Sequence, residues 1–418
     1  MTAPAEHSQW VKSSCVQVLT SDAHSTVVAH LLSGRKYALG AEAFRLFSSL
    51  DEPATLGHLQ ELLPHLDPPR LTVALEHLQR QELIVRCDNG RADETFQVTS
   101  LAPTLCNVDA FTAGAAAMPR VVFLGVPYGR GNSLSGAAAR FPRAVRKYSR
   151  RIHADFKKTR FANSDGCLYD VDAEVDLANL RSLIDGGRIA DWGNLYIHPQ
   201  EYPQHVYDNV EKAVSILIDG GHIPFVLGGD HSITLPALRA FDSRFRRLNV
   251  LHFDAHTDTY DSPLDHLFEQ RSTHGYANFA SHAFHLENIE SVHQFGVRGV
   301  NNFGVKAHPK QRIHWIQAAK RAARERRAPD LPDDVPWYVT IDIDVLDPAV
   351  APGTASPVPG GLSIPDFLQL LYLLLAGRRV VGVDLVEIDP GRDRDDLTVQ
   401  IGLETIIFIL NMLHPASG

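Results

Sequence analysis

From Val121 onward, short apolar runs alternate with longer amphipathic stretches. Val121–Leu124, Ile223–Leu227, Val250–Phe253, Phe295–Arg298, Tyr338–Ile343 and Val380–Val386 are short and rich in β-branched and aromatic residues, which predicts strands. Between them, Tyr207–Ile218 and the segment bearing Arg143 and Arg146 read as helices, and Gly125 to Gly136 as a glycine-rich loop. Strands apolar at nearly every position are covered on both faces, so the alternation predicts a mostly parallel sheet with helices on both sides. Polar residues at the C-terminal ends of such strands are where chemistry is expected.

The first hundred residues follow a different pattern. Ala41–Leu50 and Thr55–Leu63 predict two short helices. Asp67 is placed to cap a third, with Pro68 at its first position and Leu71, Leu75 and Leu78 on one face. Leu83–Val85, an Asp88-Asn89-Gly90 turn and Thr95–Val98 predict a hairpin. Three helices followed by a hairpin outline a winged helix-turn-helix over residues 1–100. Residues 101–118, with Pro103 and the run Gly114-Ala-Ala-Ala117, read as a linker, and residues 119–418 as the α/β domain.

Composition narrows the classes. The chain of 418 residues is 44% hydrophobic and 21% charged, an ordinary globular balance that excludes a disordered or coiled-coil protein. Its net charge of −9 offers no broad nucleic-acid footprint. Residues 1–110 hold eight Lys/Arg against thirteen Asp/Glu, so the winged outline lacks the basic face of a DNA reader. That outline loosely resembles the small winged domains that recognise leader peptides in ribosomal-peptide biosynthesis, which bind an extended peptide along a sheet edge. An oligomerisation or lid module is the plainer reading. Four dispersed cysteines, none in a CxxC pair, suit a reducing cytosol, and no secretory signal is visible at the N-terminus. The longest uncharged apolar run, Leu368–Ala376, is too short to span a membrane.

Three motifs fall at three of the strand ends: Gly228-Gly229-Asp230-His231-Ser232, Asp254-Ala-His256-Thr-Asp258 and Asp342-Ile-Asp344-Val-Leu-Asp347-Pro348. In an extended segment residues i, i+2 and i+4 point the same way, so Asp254, His256 and Asp258 converge if the strand runs past the sheet edge, and Asp342 and Asp344 form a second pair. Unpaired carboxylates in an apolar strand cost several kcal/mol, and solvated loop carboxylates do not explain three such motifs together. A divalent metal is the natural compensation. Two histidines and four aspartates without a thiolate suit Mn²⁺ more than Zn²⁺. Six ligands around one ion leave no room for substrate. Shared between two, they leave a place for a bridging water whose pKa the ions lower.

In this order the three motifs resemble the ureohydrolase family of arginase, agmatinase and guanidinobutyrase, over about residues 120–414. The resemblance implies a three-layer α/β/α fold around an eight-stranded parallel sheet and a homo-oligomer. It also implies two Mn²⁺, with Ni²⁺ as the alternative, bound by His231, Asp254, His256, Asp258, Asp342 and Asp344. Ser272-Thr-His274-Gly275 resembles the segment whose histidine shuttles protons, and Val386-Glu387-Ile-Asp389-Pro390 the one whose glutamate holds the guanidinium. Both assignments make physical sense: a planar cation needs a carboxylate to orient it, and an imidazole of near-neutral pKa can protonate a departing amine. Asp258 is also assigned to catalysis. Ile189-Ala-Asp191-Trp192-Gly193-Asn194 resembles the family's Asp-x-Gly-Asp segment, with Asn194 in the final place.

The implied chemistry is hydrolysis of a guanidino group to urea and a primary amine. The fifteen-residue loop Thr259–Thr273 carries Asp261, Asp265, Glu269 and Arg271, of which Asp261 and Arg271 are the candidate contacts to the substrate tail. Three readings follow. The favoured one is a peptide arginase that turns arginine residues of a ribosomal precursor peptide into ornithine, with residues 1–100 holding the leader. The alternative is a small-molecule amidinohydrolase acting on agmatine, 4-guanidinobutyrate or free arginine. The third is a ligand-sensing DNA-binding regulator, against which the intact ligand set and the acidic N-terminal region both argue.

Overall fold

A computed structural model describes residues 9–12, 16–21, 25–30, 36–50, 54–81, 83–88, 91–92, 96–101, 103–113, 118–152, 154–156, 169–170, 175–198, 201, 203–260, 274–300 and 308–415. They form two compact units, Met1–Gln97 and Val98–Gly418, each with its own apolar core.

The first unit runs β1 (Gln9–Lys12), β2 (Val16–Ser21), β3 (Ser25–His30), β4 (Lys36–Gly40), α1 (Ala41–Ser48), β5 (Ala54–Thr55), α2 (Leu56–Leu62), α3 (Pro68–Arg80), β6 (Ile84–Asp88) and β7 (Arg91–Ala92). The Asp67 carboxylate accepts from the Arg70 N–H at 2.8 Å and starts α3, whose Leu71, Leu75 and Leu78 are buried as their spacing requires. Among the described residues the hairpin partner of β6 is Arg91–Ala92; of the expected Thr95–Val98, Thr95 lies outside the described residues and Val98 pairs with Leu195. Among the described residues, four strands precede α1. β2, β3 and β4 form an antiparallel sheet, and β1 joins a second one in the order β5-β1-β6-β7.

The second unit begins with β8 (Val98–Thr99) and β9 (Asp109–Ala110), and continues with β10 (Val121–Gly125), α4 (Phe141–Arg151), β11 (Tyr169–Asp170), β12 (Val175–Asp176), α5 (Ala178–Asp185), β13 (Ile189–Leu195), α6 (Pro203–Asp219), β14 (Ile223–Leu227), α7 (Thr234–Asp242) and β15 (Leu248–Phe253). Then follow α8 (Phe279–Ala283), β16 (Ile289–Phe295), β17 (Gln311–His314), α9 (Ile316–Arg324), β18 (Trp337–Asp342), α10 (Ile364–Leu375), β19 (Val380–Val386) and α11 (Leu397–Leu410). The main sheet has the order β17-β16-β15-β18-β19-β14-β10-β13-β8, with β9 also paired to β13. The eight strands from β17 to β13 are all parallel, and the short antiparallel β8 closes one edge. This is the α/β architecture expected from the alternation.

Two expectations are corrected. Residues 101–118, read as a linker, contain β9 and a buried 3₁₀ turn at Leu105–Asn107. The Leu105 N–H donates to Asp191 at 2.8 Å and the Cys106 side chain is buried, so this stretch belongs to the α/β unit. The strand expected at Phe295–Arg298 instead occupies Ile289–Phe295, its polar residues Ser291, His293 and Gln294 having hidden it.

Arg146 of α4, only 2% exposed, pins that helix to β13. Its guanidinium donates to both Asp191 oxygens at 2.7 Å, to Asn194 Oδ1 at 2.7 Å and to the Gly193 carbonyl at 3.1 Å. Asn194, in the final place of its motif, is thus one of the acceptors that hold Arg146.

Candidate metal centre

The motif residues leave the C-terminal ends of β14, β15, β18 and β19, which lie side by side in the order β15-β18-β19-β14. Gly228 and Gly229 let the chain after β14 pass close to its neighbours. A Cβ on Gly229 would run into the Tyr128 carbonyl, and one on Gly228 into the Leu385 carbonyl. Beyond them, the Asp230 side chain caps the turn that starts at His231 and accepts from the Asn132 N–H at 3.0 Å.

His231, Asp254, Asp258, Asp342, Asp344 and Glu387 are all buried, and His256 nearly so. His231 Nδ1 lies 3.0 Å from Asp258, 3.2 Å from Asp254 and 3.5 Å from Asp342. His256 Nδ1 lies 3.0 Å from Asp344 and 3.3 Å from the other Asp254 oxygen. Among the described residues, two overlapping donor groups result: His231, His252, Asp254 and Asp258; and Asp254, His256 and Asp344. Asp254 belongs to both. The simple i, i+2, i+4 picture is therefore corrected. β15 ends at Phe253, Asp258 takes a left-handed backbone (φ 49°), and the three residues divide between two clusters. Glu387 is also left-handed (φ 61°), and such strain collects at functional sites.

The hydrogen bonds of His231 restrict what the cluster can hold. Tyr338, Thr234 and Thr340 all donate hydroxyl hydrogens to Asp384, at 2.7, 3.0 and 2.6 Å. With its hydrogen so committed, Thr340 Oγ1 can only accept from His231 Nε2–H, at 2.8 Å. In the neutral ring Nδ1 is then the lone pair, buried and facing three carboxylates. That arrangement is repulsive unless a divalent ion lies between them or Nδ1 itself takes a proton. Burial opposes charge on His231, but Asp254, Asp258 and Asp342 outweigh it and push its pKa well up. Asp342 is pushed well up by burial first and then by Asp344 and Asp254. Divalent cations fit this donor set of imidazole and carboxylate oxygens.

A cavity of about 530 Å³ opens over the cluster. His256, Asp258, Asp342, Asp344 and Glu387 line it, together with Tyr260 and Tyr276, which the sequence reading did not single out. Glu387 is held by the His231 backbone N–H at 3.0 Å and by Asn132 Nδ2 at 2.9 Å. Asn132 was also missed. His274 is not among the lining residues: it is buried, with its ring 4.0 Å from that of Tyr207. Burial first, then Arg239 and His282, lower its pKa to about 3, in place of the near-neutral value expected. Asp261, Asp265, Glu269 and Arg271 lie outside the described residues.

Comparison with known proteins fits this geometry. Residues 119–410 match the arginase family. An agmatinase of Neisseria meningitidis serogroup A is 32% identical over 285 residues, covering 67% of this chain and 83% of the relative. Among solved structures, the proclavaminate amidino hydrolase of Streptomyces clavuligerus superposes with a TM-score of 0.58 at 25% identity, covering 75% of this chain and 97% of that one. A hypothetical agmatinase of Burkholderia thailandensis has the same TM-score of 0.58 at 23% identity, over 77% and 95% of the two chains.

Proposed function

The chain belongs to the arginase family, and from that premise we propose that it hydrolyses the guanidino group of a small molecule to urea and a primary amine. The observation that carries this is the pair of donor groups sharing Asp254 beneath the cavity, with the His231 lone pair aimed among carboxylates. The two ions would be held by His231, Asp254, Asp258 and Asp342 on one side and by Asp254, His256 and Asp344 on the other. When bound, two divalent ions, Mn²⁺ by the hardness of the donors, supply the positive charge that activates a water for attack on the guanidino carbon.

The remaining work falls to the chain. Glu387, fixed at both oxygens by Asn132 and the His231 N–H, presents its carboxylate to the guanidinium and orients its plane. Asp258 faces the same cavity and is placed to accept the proton of the attacking water. As the C–N bond breaks, the leaving nitrogen takes up a proton and departs as the amine. His274, buried and not lining the cavity, is the candidate relay for that proton, working from a neutral imidazole.

The relatives named agmatinase reverse the order of the two substrate readings, so a small guanidino compound such as agmatine now stands ahead of arginine within a peptide. The peptide reading keeps one supporting observation: Met1–Gln97 forms a unit with its own core, and the family match begins only at residue 119. Among the described residues, α1, α2, α3 and the β6–β7 hairpin support the winged outline, and β1–β4 ahead of them are no part of it. No helix among the described residues is long and apolar enough to cross a membrane, and the dispersed cysteines favour the cytoplasm. The test is urea release from agmatine, 4-guanidinobutyrate, arginine and an arginine-containing peptide, after loading with Mn²⁺ and elemental analysis. Turnover of one small compound with two ions per chain is expected. Full activity in EDTA, or turnover of the peptide alone, would overturn it.

A further inference from the structure

Two residues behind the ligand aspartates, one polar row crosses the sheet. The parallel register places Gln294 of β16 beside His252 of β15, His252 beside Thr340 of β18, and Thr340 beside Asp384 of β19. All four side chains are fully buried. Buried polar groups in the middle of an apolar sheet are costly unless they are hydrogen-bonded, so a continuous row of them calls for a reason. The Thr340–Asp384 half sets the tautomer of His231, as described above. The other half ends on Asp254.

His252 Nε2 lies 2.8 Å from Asp254 Oδ2. Its Nδ1 lies 2.9 Å from Gln294 Nε2, which also donates to the Thr257 carbonyl at 2.6 Å. Gln294 Oε1 accepts from Gln311 Nε2 at 2.6 Å, from the next strand, β17. These contacts permit one assignment of hydrogens. A backbone carbonyl only accepts, so Thr257 fixes which end of the Gln294 amide faces it. The second Gln294 N–H then points at His252 Nδ1, which must accept it. The ring hydrogen is left on Nε2, where it donates to Asp254. Were the ring reversed, Gln294 would have to turn its oxygen toward the Thr257 carbonyl, placing two acceptors in contact.

The geometry points to His252 as the positioning residue of the metal centre. Although it falls within the first donor group, it is not itself a ligand: its one lone pair, on Nδ1, is taken up by Gln294, and its Nε2 carries the hydrogen. That Nε2–H orients the carboxylate that the two donor groups share, and the Thr257–Gln294–Gln311 chain locks the tautomer. Thr257 sits between His256 and Asp258, so the same carbonyl ties the lock to the ligand turn itself. This inference rests on the proposed two-ion reading.

The experiment is Mn²⁺ titration of the metal-free full-length protein by calorimetry, with the bound ions counted by elemental analysis after dialysis. His252→Ala removes the donor and should weaken Mn²⁺ binding by about 10- to 100-fold, the usual effect of losing such a partner. His252→Gln places an amide N–H near the same position and should restore near wild-type affinity and two ions per chain, whereas His252→Leu, which fills similar space without a donor, should stay as weak as His252→Ala; rescue by Leu would overturn the inference. Unchanged affinity in His252→Ala would overturn the inference while leaving the two-ion reading intact. So would a His252→Gln protein as weak as His252→Ala. Wild-type protein that binds no Mn²⁺ would remove the two-ion reading and this inference with it. Should His252→Ala fail to fold, Gln294→Leu, which leaves the imidazole in place but frees its tautomer, should lower affinity in the same direction; an unchanged affinity there would overturn the lock.

Discussion

The hydroxyl of Thr340 determines which nitrogen His231 offers to the carboxylates, because its own hydrogen is committed to Asp384. Thr340→Val should therefore lower Mn²⁺ affinity by about 10- to 100-fold without touching a ligand, as titration of the metal-free protein would show. His274 presents the opposite situation, a proposed catalytic side chain outside the cavity wall. His274→Asn should keep the metal content and lower kcat by about 10²- to 10⁴-fold if it relays the proton. Steady-state kinetics beside elemental analysis would show this, and an unchanged kcat would move proton delivery to another group. At this scale the proposed ligands were legible because aspartate in an apolar strand is conspicuous. His252 could have been found by the same signal, two positions before Asp254 in a buried strand. Asn132, Tyr260 and Tyr276 could not, since nothing local distinguishes them from ordinary loop residues before the chain is folded.

The sheet was legible where strands are almost wholly apolar: Ile223–Leu227 and, despite Asp384, Val380–Val386 are strands over their whole predicted lengths. β16 and β13 escaped notice because the residues that pair with other elements make them polar. Asp191 in β13 is the clearest case, since the charge that balances its carboxylate comes from an arginine 45 residues away in sequence. That pair holds α4 against the sheet. Arg146→Met should destabilise the protein by about 3–5 kcal/mol, because it strands a buried carboxylate, whereas replacing both partners with apolar residues should cost less. Denaturant unfolding of the single and double variants would measure the difference.

For the whole molecule, the unit boundary at Gln97 sets where a truncation can be made. Removing residues 1–97 leaves β8, β9 and the buried turn at Leu105 in place, whereas a cut after residue 113 strips them from the edge of β13. The shorter deletion should keep kcat/KM for a small guanidino compound near that of the full chain, and the longer one should lower the melting temperature. If the first unit recruits a peptide, the shorter deletion should instead raise KM for the long peptide alone, through lost effective concentration. Urea release from both substrates by both truncations separates these outcomes. The crowded carboxylates around His231 have a thermodynamic consequence as well. Whatever cation relieves that repulsion binds the folded chain and not the unfolded one, so mass action makes it part of the folding equilibrium: at a hundred times its dissociation constant, one such ion adds about 2.7 kcal/mol. The protein's resistance to heat then becomes a reading of the free metal around it, and a cell short of that metal would lose the enzyme itself along with its activity.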